Sequence, residues 1–421
     1  MILKRRILGT MLAAGLIVSL LGCASIKGIE QPVVHPGLDM AGDDARYLAH
    51  YFGIQGFQPT VTWASFNEAL GKTGAHAIEG VDQSATVTMQ AAMQAIVQAA
   101  SMTELALSYP VEKVAAALAS HSVTGIKAEH APYVACALDT MLVPGGVDFT
   151  SALDGKSAAM LLMNAVDAAG KGRRQLGFSD DPGIYASLQS EWNSFALFDE
   201  KELTALGVDL VKGQVSTGYN LKYAGYDARF LPELTLQYGH SEIDHATQLL
   251  GLLKSEGIVA RVQLEPKISV YEYLLEWGPI GKPTPTYAIM EAGKDFYLVN
   301  AIEYDLQLEF MNTEDKLAFN AVIESYAKKN KGNEKAVGLI RSSWWQPLYS
   351  SRTQMPDGTY MKIHDVAASN GVFSIHPFAL TENLETVKKA IARFNPGLTV
   401  APVTLWCNAA FYRYLTGTDS Q

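Results

Sequence analysis

A helix, a glycine and a strand follow one another between residues 242 and 264, and this run constrains the fold more than any other. Apolar residues recur there at helical spacing, which predicts a helix of about four turns from Glu242 to Ser255. They are Ile243, Ala246, Leu249, Leu250 and Leu253. Gly257 follows, and Val259 to Leu264 alternates between apolar and polar residues as a strand does. The run predicts an α+β unit.

The first residues have the composition of a targeting segment. Residues 4–6 are Lys-Arg-Arg, and residues 7–21 form an apolar stretch that is short for a membrane span. The stretch runs into Leu-Leu-Gly-Cys-Ala at 20–24, which resembles a bacterial lipobox. The resemblance implies that residues 1–23 are a lipoprotein signal peptide and that acylated Cys23 anchors an exported protein to the bacterial membrane. The alternative is an ordinary signal peptide with an incidental cysteine.

The composition argues against one class of partner. Hydrophobic residues make up 48% and charged residues 18% of the 421 residues, which indicates a well-buried globular chain. The formal net charge of −10, with no basic stripe to offset it, argues against a nucleic-acid partner. Besides Cys23, the chain has only Cys136 and Cys407, each in an apolar run. We expect two buried free thiols, and a disulfide between them is the alternative in an exported protein.

Residues 41–169 are rich in alanine and repeat one unit three times: a short helix, a loop, a Thr or Asp cap and a second helix. The second helices open at Thr62-Trp63-Ala64-Ser65, Thr88-Met89-Gln90-Ala91 and Lys156-Ser157. This arrangement resembles three S-layer homology repeats, which attach proteins to cell-wall polysaccharide. The resemblance implies wall-polymer binding with Trp63 as a candidate contact, although the family's polymer-binding arginine is absent from the first two units. The alternative is a helical packing domain without a binding role.

The remainder divides into three further parts. Glycines and charged residues predict a linker and one amphipathic helix over 170–200. An α+β domain is expected over 201–310, with two more strands at Thr286 to Glu291 and Phe296 to Ala301. Residues 311–421 form a mixed C-terminal extension.

Two adjacent tryptophans in that extension, Trp344 and Trp345, are candidate binding residues. Neighbouring residues of a strand point to opposite sides, so one of the two is expected in the core. The other is free to stack on a sugar or a peptide.

The run from Gly239 to Val262 resembles the core of the transglutaminase-like, papain-like family. In that family a Cys opens the helix, a His on a neighbouring strand is the base, and an Asp orients the His. The register places Glu242 at the Cys position, Tyr287 at the His position and Asn300 at the Asp position. The resemblance implies a multidomain fold in which the α-helical repeat domain precedes an α+β transglutaminase-like (papain-like) domain with its extension.

The three replacements imply a degenerate site. A carboxylate is a poor acyl acceptor, and a tyrosine does not readily take up a proton at neutral pH. We hypothesise that Glu242 and Tyr287 form a hydrogen bond that closes the vacated site.

Two other chemistries stay open at this run. A displaced nucleophile, Ser241 or Cys407, would make the protein a surface acyl hydrolase or transferase, although Ser241 is better explained as a helix N-cap. A metal would need a cluster of ligands, and four side chains are close in sequence: His240, Glu242, Asp244 and His245. His240 and His245 lie five residues apart, a spacing that points to different faces of a helix, so neither is expected as a base for Ser241. Glu242 and His245 share one helical face, but single copies of such a pair are common by chance and two further ligands would be needed, so we expect neither a metal nor another cofactor.

Together the patterns favour a non-catalytic, lipid-anchored envelope protein that recognises a wall polysaccharide, a peptide or a protein. The alternatives are the displaced-nucleophile enzyme and a wall-polysaccharide anchor that acts through the N-terminal repeats.

Overall fold

The structure is a computed structural model that describes residues 40–326, 348–379 and 381–415. Seven helices form its N-terminal part. They are α1 (Met40–Phe52), α2 (Trp63–Lys72), α3 (Met89–Ala99), α4 (Thr103–Ser108), α5 (Val111–Ser120), α6 (Ala131–Asp139) and α7 (Gly155–Ala168). Their buried faces share one hydrophobic core, in which the largest fully buried side chains include Tyr47, Phe66 and Met93.

Three backbone hydrogen bonds tie this helical part together in a cycle. Val61 N donates to Leu153 O at 3.3 Å, Leu153 N to Val87 O at 2.8 Å, and Val87 N to Val61 O at 2.9 Å. The residue after each of the three is a helix N-cap whose side-chain oxygen accepts from the amide three residues on. These caps are Thr62, Thr88 and Asp154. The N-termini of α2, α3 and α7, whose caps the sequence indicated, therefore lie together around this cycle of hydrogen bonds.

The rest of the described chain carries ten strands and six further helices. The strands are β1 (Gly177–Phe178), β2 (Gly218–Tyr223), β3 (Thr235–His240), β4 (Ala260–Tyr273), β5 (Tyr287–Gly293), β6 (Phe296–Phe310), β7 (Tyr349–Ser351), β8 (Met361–Ser369), β9 (Phe373–Pro377) and β10 (Thr399–Cys407). The helices are α8 (Ile184–Ser194), α9 (Lys201–Lys212), α10 (Ile243–Ser255), α11 (Thr313–Tyr326), α12 (Leu384–Phe394) and α13 (Ala409–Leu415).

Eight of these strands close into an antiparallel ring. The order is β4-β2-β9-β8-β10-β7-β3-β6, and β6 pairs back with β4. β1 and β5 lie outside the ring, on β4 and β6. The expected fold class was therefore wrong, because a closed eight-stranded barrel, together with the thirteen helices of the described residues, does not fit a helical repeat domain followed by a papain-like domain. Residues 349–407 supply four of the ring's strands, so they form part of the barrel wall.

The pair β4–β6 is the longest part of the sheet. The two strands pair from Ala260–Phe310 to Tyr273–Tyr297, a register of fourteen residue pairs. The strands expected at Val259 to Leu264 and Phe296 to Ala301 were correct in position but stopped nine residues short in each case. The amphipathic helix expected within 170–200 is α8, whereas the part assigned as a linker contributes β1, which pairs with β4.

Helices cover the outer face of this sheet. Even-numbered residues of β4 from Ala260 to Val270 and of β6 from Ile302 to Phe310 are apolar, and most of them share a core with α8, α9 and α10. Gly207 of α9 is needed for this contact, because a Cβ atom there would come within 2.3 Å of the Tyr219 ring on β2. In the described parts of the chain, no helix has the length and apolar character that crossing a bilayer requires.

Candidate functional site

The inner face of the barrel is polar. Odd-numbered residues of β4 and β6 point away from the helix-covered core, and because the side-chain period of a strand is two, they share one face. They are Arg261, Gln263, Glu265, Lys267 and Ser269 on β4, and Glu303, Asp305, Gln307 and Glu309 on β6. All of these except Glu303 are buried. Charged residues at this degree of burial require partners, and the interior supplies them.

Asp305 is the centre of one ion cluster. Its Oδ1 atom lies 2.6 Å from Lys267 Nζ, and its Oδ2 atom accepts from Lys222 of β2. Burial alone would raise the pKa of Asp305, but the two ammonium groups outweigh burial and hold that pKa well below its usual range. Gly239 of β3 leaves room for the cluster, because a Cβ atom there would lie 3.0 Å from Lys267 Nζ.

Glu309 is the centre of a second cluster at one end of the barrel. Arg261 Nη1 and Arg173 Nε each lie 2.9 Å from its Oε2 atom. The amide of Leu231 donates to its Oε1 atom at 2.9 Å. The Arg173 guanidinium also lies over the Tyr47 ring of α1, 4.2 Å from its centroid. This cluster fastens the helical part of the chain to the barrel.

A cavity of about 150 Å³ opens next to the Glu309 cluster, between α1 and the barrel. Its barrel side is lined by a chain of hydrogen-bonding groups. Gln307 Nε2 donates to Gln237 Oε1 at 3.0 Å and to Glu265 Oε2 at 2.9 Å. The Ala228 amide donates to Glu265 Oε1 at 2.7 Å. The donors and acceptors that face the cavity are thus held in fixed positions.

The rim of this mouth cavity combines aromatic and charged residues. His50 and Tyr51 come from the end of α1, and the Tyr51 hydroxyl donates to the Phe230 carbonyl at 2.7 Å. Asp227 and Arg352 line the opening and are exposed. Burial raises the pKa of Glu265, and Lys222 offsets part of that rise. Planar amide groups, a carboxyl group and aromatic rings around a small opening suit a neutral, polyhydroxylated ligand better than an apolar one.

A second cavity, of about 290 Å³, lies within the helical part. It is lined mainly by small and apolar residues of α1, α7 and the loop after α1, with Lys156 as its charged member. It is larger than the mouth cavity but offers fewer groups that could orient a polar ligand. The mouth cavity is therefore the stronger candidate site.

The three residues placed at transglutaminase triad positions occupy different environments. Glu242 is the exposed N-cap residue of α10, and the tyrosine that reaches it is Tyr304, whose hydroxyl donates to its carbonyl at 2.8 Å. Tyr287 pairs with Ala301, whereas Asn300 pairs with Ala288. Tyr287 and Asn300 therefore lie on opposite faces of the sheet.

His240 and His245 are in contact, although their spacing of five residues predicted different faces of one helix. His240 Nε2 lies 3.0 Å from His245 Nδ1, and the Glu242 amide donates to His240 Nδ1 at 2.8 Å. The expectation was wrong because His240 ends β3, and the chain turns before α10 begins. Burial, and then His245, lower the pKa of His240 to about 3, so the pair is neutral at physiological pH. No three His, Cys, Asp or Glu side chains of the described ranges group as metal ligands would.

The alternative nucleophiles are poorly placed for reaction. Ser241 is exposed, and the N-cap of α10 is Glu242 rather than Ser241. Cys407 is buried at the end of β10, and burial raises its pKa to about 12, which keeps the thiol protonated at neutral pH. Cys136 and Cys407 are both free and buried, so the expectation for these thiols is confirmed.

Of the candidate binding residues, Trp63 opens α2 with only 7% of its surface exposed and packs against Phe66 at a ring distance of 6.3 Å. Cys23, Trp344 and Trp345 lie outside the described residues. Sequence reasoning missed the barrel interior, although a signal was present. Polar residues occupy every second position from 261 to 269 and again from 303 to 309.

Comparison with known proteins gives no further guide: no protein-family model, no curated protein and no solved structure matches this chain.

Proposed function

We infer that this chain is a lipid-anchored envelope protein without catalytic activity, which binds a saccharide group of the cell wall in the mouth cavity of its barrel. The observation that carries the proposal is the hydrogen-bonded chain of Gln237, Gln307 and Glu265 along one side of that cavity. Sugar hydroxyl groups both donate and accept, and planar amide and carboxyl groups match this pattern.

The surroundings of the cavity support a saccharide over other small ligands. Aromatic rings at the rim, Tyr51 among them, offer faces on which a sugar ring can stack. Arg352 and Asp227 stand exposed at the opening, where they can contact the next unit of a chain. A cavity of about 150 Å³ suits one ring of such a chain, because pockets for whole drug-sized ligands are about 300–1,000 Å³.

The surroundings of the two displaced-nucleophile candidates, Cys407 and Ser241, support binding over catalysis. Among the described residues, the pKa of the Cys407 thiol is raised by burial, and Ser241 lies at an exposed turn. The export and anchoring parts of the proposal depend on the Lys-Arg-Arg, apolar and Leu-Leu-Gly-Cys pattern at the N-terminus.

The test is isothermal titration calorimetry. Soluble glycan strands released from bacterial cell wall, with and without their peptide stems, are titrated into the full chain. Arg352→Ala and Gln237→Ala should each weaken binding by roughly tenfold or more, the value of a lost hydrogen bond to a charged group or within a buried cavity. Arg393→Ala and Gln248→Ala are matched controls, because both residues are exposed on other helices. They should bind as the wild type does.

One result would transfer the site to the helical part. If Lys156→Ala abolished glycan binding while Arg352→Ala left it unchanged, the larger cavity beside α7 would hold the ligand. Absence of heat with every glycan, from a protein that is folded by circular dichroism, would reject saccharide binding altogether.

A further inference from the structure

One short segment concentrates exposed apolar side chains. Fourteen large hydrophobic side chains are exposed in the described residues, and five of them lie between residues 274 and 287. These five are Leu274, Leu275, Trp277, Ile280 and Tyr287. The exposed fractions of Leu275 and Trp277 are 53% and 56%. The segment joins β4 to β5, and residues 273–287 are called the apolar tip below.

The apolar tip has a fixed backbone. A 3-10 turn spans Leu275–Trp277, and the Tyr273 hydroxyl donates to the Gly278 carbonyl at 3.0 Å. The Trp277 ring packs edge-on against Tyr273 at 5.5 Å. Leu197 N donates to the carbonyl of Pro285 at 2.9 Å, which ties the far end of the segment to the chain before α9. The backbone that carries the apolar side chains is thus already ordered, so binding would not have to order it.

The chemistry of the tip fits a lipid surface. Residues 273–287 contain one acidic side chain, Glu276, and one basic side chain, Lys282, in a chain whose net charge is −10. Tryptophan and tyrosine prefer the boundary between lipid head groups and acyl chains, and leucine and isoleucine prefer the acyl region next to it. None of these exposed side chains lines either of the two cavities described above, so neither cavity gives them the concave surface that an extended peptide needs.

We propose that the apolar tip inserts into the outer part of a lipid bilayer and sets the orientation of the protein on the membrane. The proposal rests on the lipid anchor of the proposed function, since the N-terminal lipobox pattern is what places a bilayer beside the chain. The anchor holds the protein at the surface through an acylated terminus, whereas the tip fixes which end of the barrel faces the lipid.

The orientation has a consequence for the mouth cavity. Glu265, which lines the cavity, and Tyr273, where the tip begins, lie on the same strand eight residues apart. At about 3.3 Å per residue, this separates them by roughly 26 Å. With the tip in the bilayer, the mouth of the barrel faces away from the membrane and toward the wall.

The test uses the acylated full chain reconstituted into phosphatidylcholine vesicles whose acyl chains carry bromine, with unlabelled vesicles as the reference. Bromine quenches only those tryptophans that enter the bilayer. We expect quenching in the wild type and loss of most of that quenching in Trp277→Phe. Leu275→Ser and Ile280→Ser keep Trp277 and should reduce its quenching in part, and each should weaken partitioning of the unacylated chain onto added vesicles roughly three- to tenfold. Val111→Ser, on a residue 80% exposed on α5, is the control and should behave as the wild type.

Two quenching results would overturn the proposal. One is a wild-type protein that floats with the vesicles but shows no bromine-dependent quenching. The other is equal quenching in Trp277→Phe and wild type. A change of oligomeric state in the tip variants, with quenching absent throughout, would assign the tip to contacts between copies and overturn it as well. Failure of the lipid anchor would be detected separately, because mass spectrometry would then show no acyl group on Cys23. In that case, brominated vesicles added to the protein would still test whether Trp277 enters the bilayer.

Discussion

Replacing Asp305 with asparagine tests whether the polar interior is held by its ion clusters. Asp305 is only 1% exposed and is the shared partner of Lys222 and Lys267. The variant leaves two ammonium groups without their carboxylate, and breaking a buried ion pair on one side costs about 3–5 kcal/mol. Lys222 is 19% exposed and can partly return to water, which favours the lower part of that range. We expect a loss of about 3 kcal/mol and a fall in Tm of roughly 4 °C.

The assay is equilibrium unfolding of the full chain in guanidinium chloride, followed by tryptophan fluorescence. Asp209→Asn, on an exposed position of α9, is the matched control and should change stability by less than about 0.5 kcal/mol. Adding Lys267→Met to Asp305→Asn removes one stranded charge, so the double variant should recover part of the loss. A loss below about 1 kcal/mol for Asp305→Asn, the value of an exposed pair, would refute the reasoning.

Three further predictions concern titration and packing. Burial lowers the pKa of Lys316 from 10.5 to about 8. The free energy of unfolding should therefore rise by roughly 3 kcal/mol between pH 8 and 10.5, because the unfolded chain then binds the extra proton. Lys316→Met should abolish this rise. Burial raises the pKa of Asp44 to about 7 and that of Asp167 to about 6. The stability that these protonated groups contribute below pH 4 should therefore be lost as the pH rises through 6–7. Asp44→Asn should reduce that loss in thermal melts recorded at a series of pH values. Gly207→Ala should cost about 1–3 kcal/mol in chemical denaturation, because its Cβ meets the Tyr219 ring; an unchanged midpoint would show that α9 can shift.

Local structure could be predicted from the sequence where one periodic segment carries its own signal. The helix expected from Glu242 to Ser255 is α10, Ile243–Ser255. The Thr and Asp caps of the repeated unit are the N-caps of α2, α3 and α7. In these cases the determining contacts lie within four residues along the chain, so spacing alone is sufficient.

The prediction of the fold class failed because the contacts that determine it join residues distant in sequence. Ring closure depends on β6 pairing with β4 and on β10 pairing with β7 and β8, and no local pattern specifies those partners. A register fitted to a family pattern also ended β4 and β6 early, which hid the alternating polar residues from 265 onward. The mouth cavity was missed for the same reason, since Gln237, Glu265 and Gln307 meet only when three strands are aligned.

The position of β10 in the ring has a consequence for synthesis. Residues 399–407 join β7 to β8, so a nascent chain that has not yet released its last segment cannot seal the barrel. Until then the charged inner side chains and the apolar outer faces of the earlier strands lack a complete enclosure. The ring can therefore close only when translation is nearly finished. Shortening the chain before residue 399 should yield a product that quality-control proteases degrade.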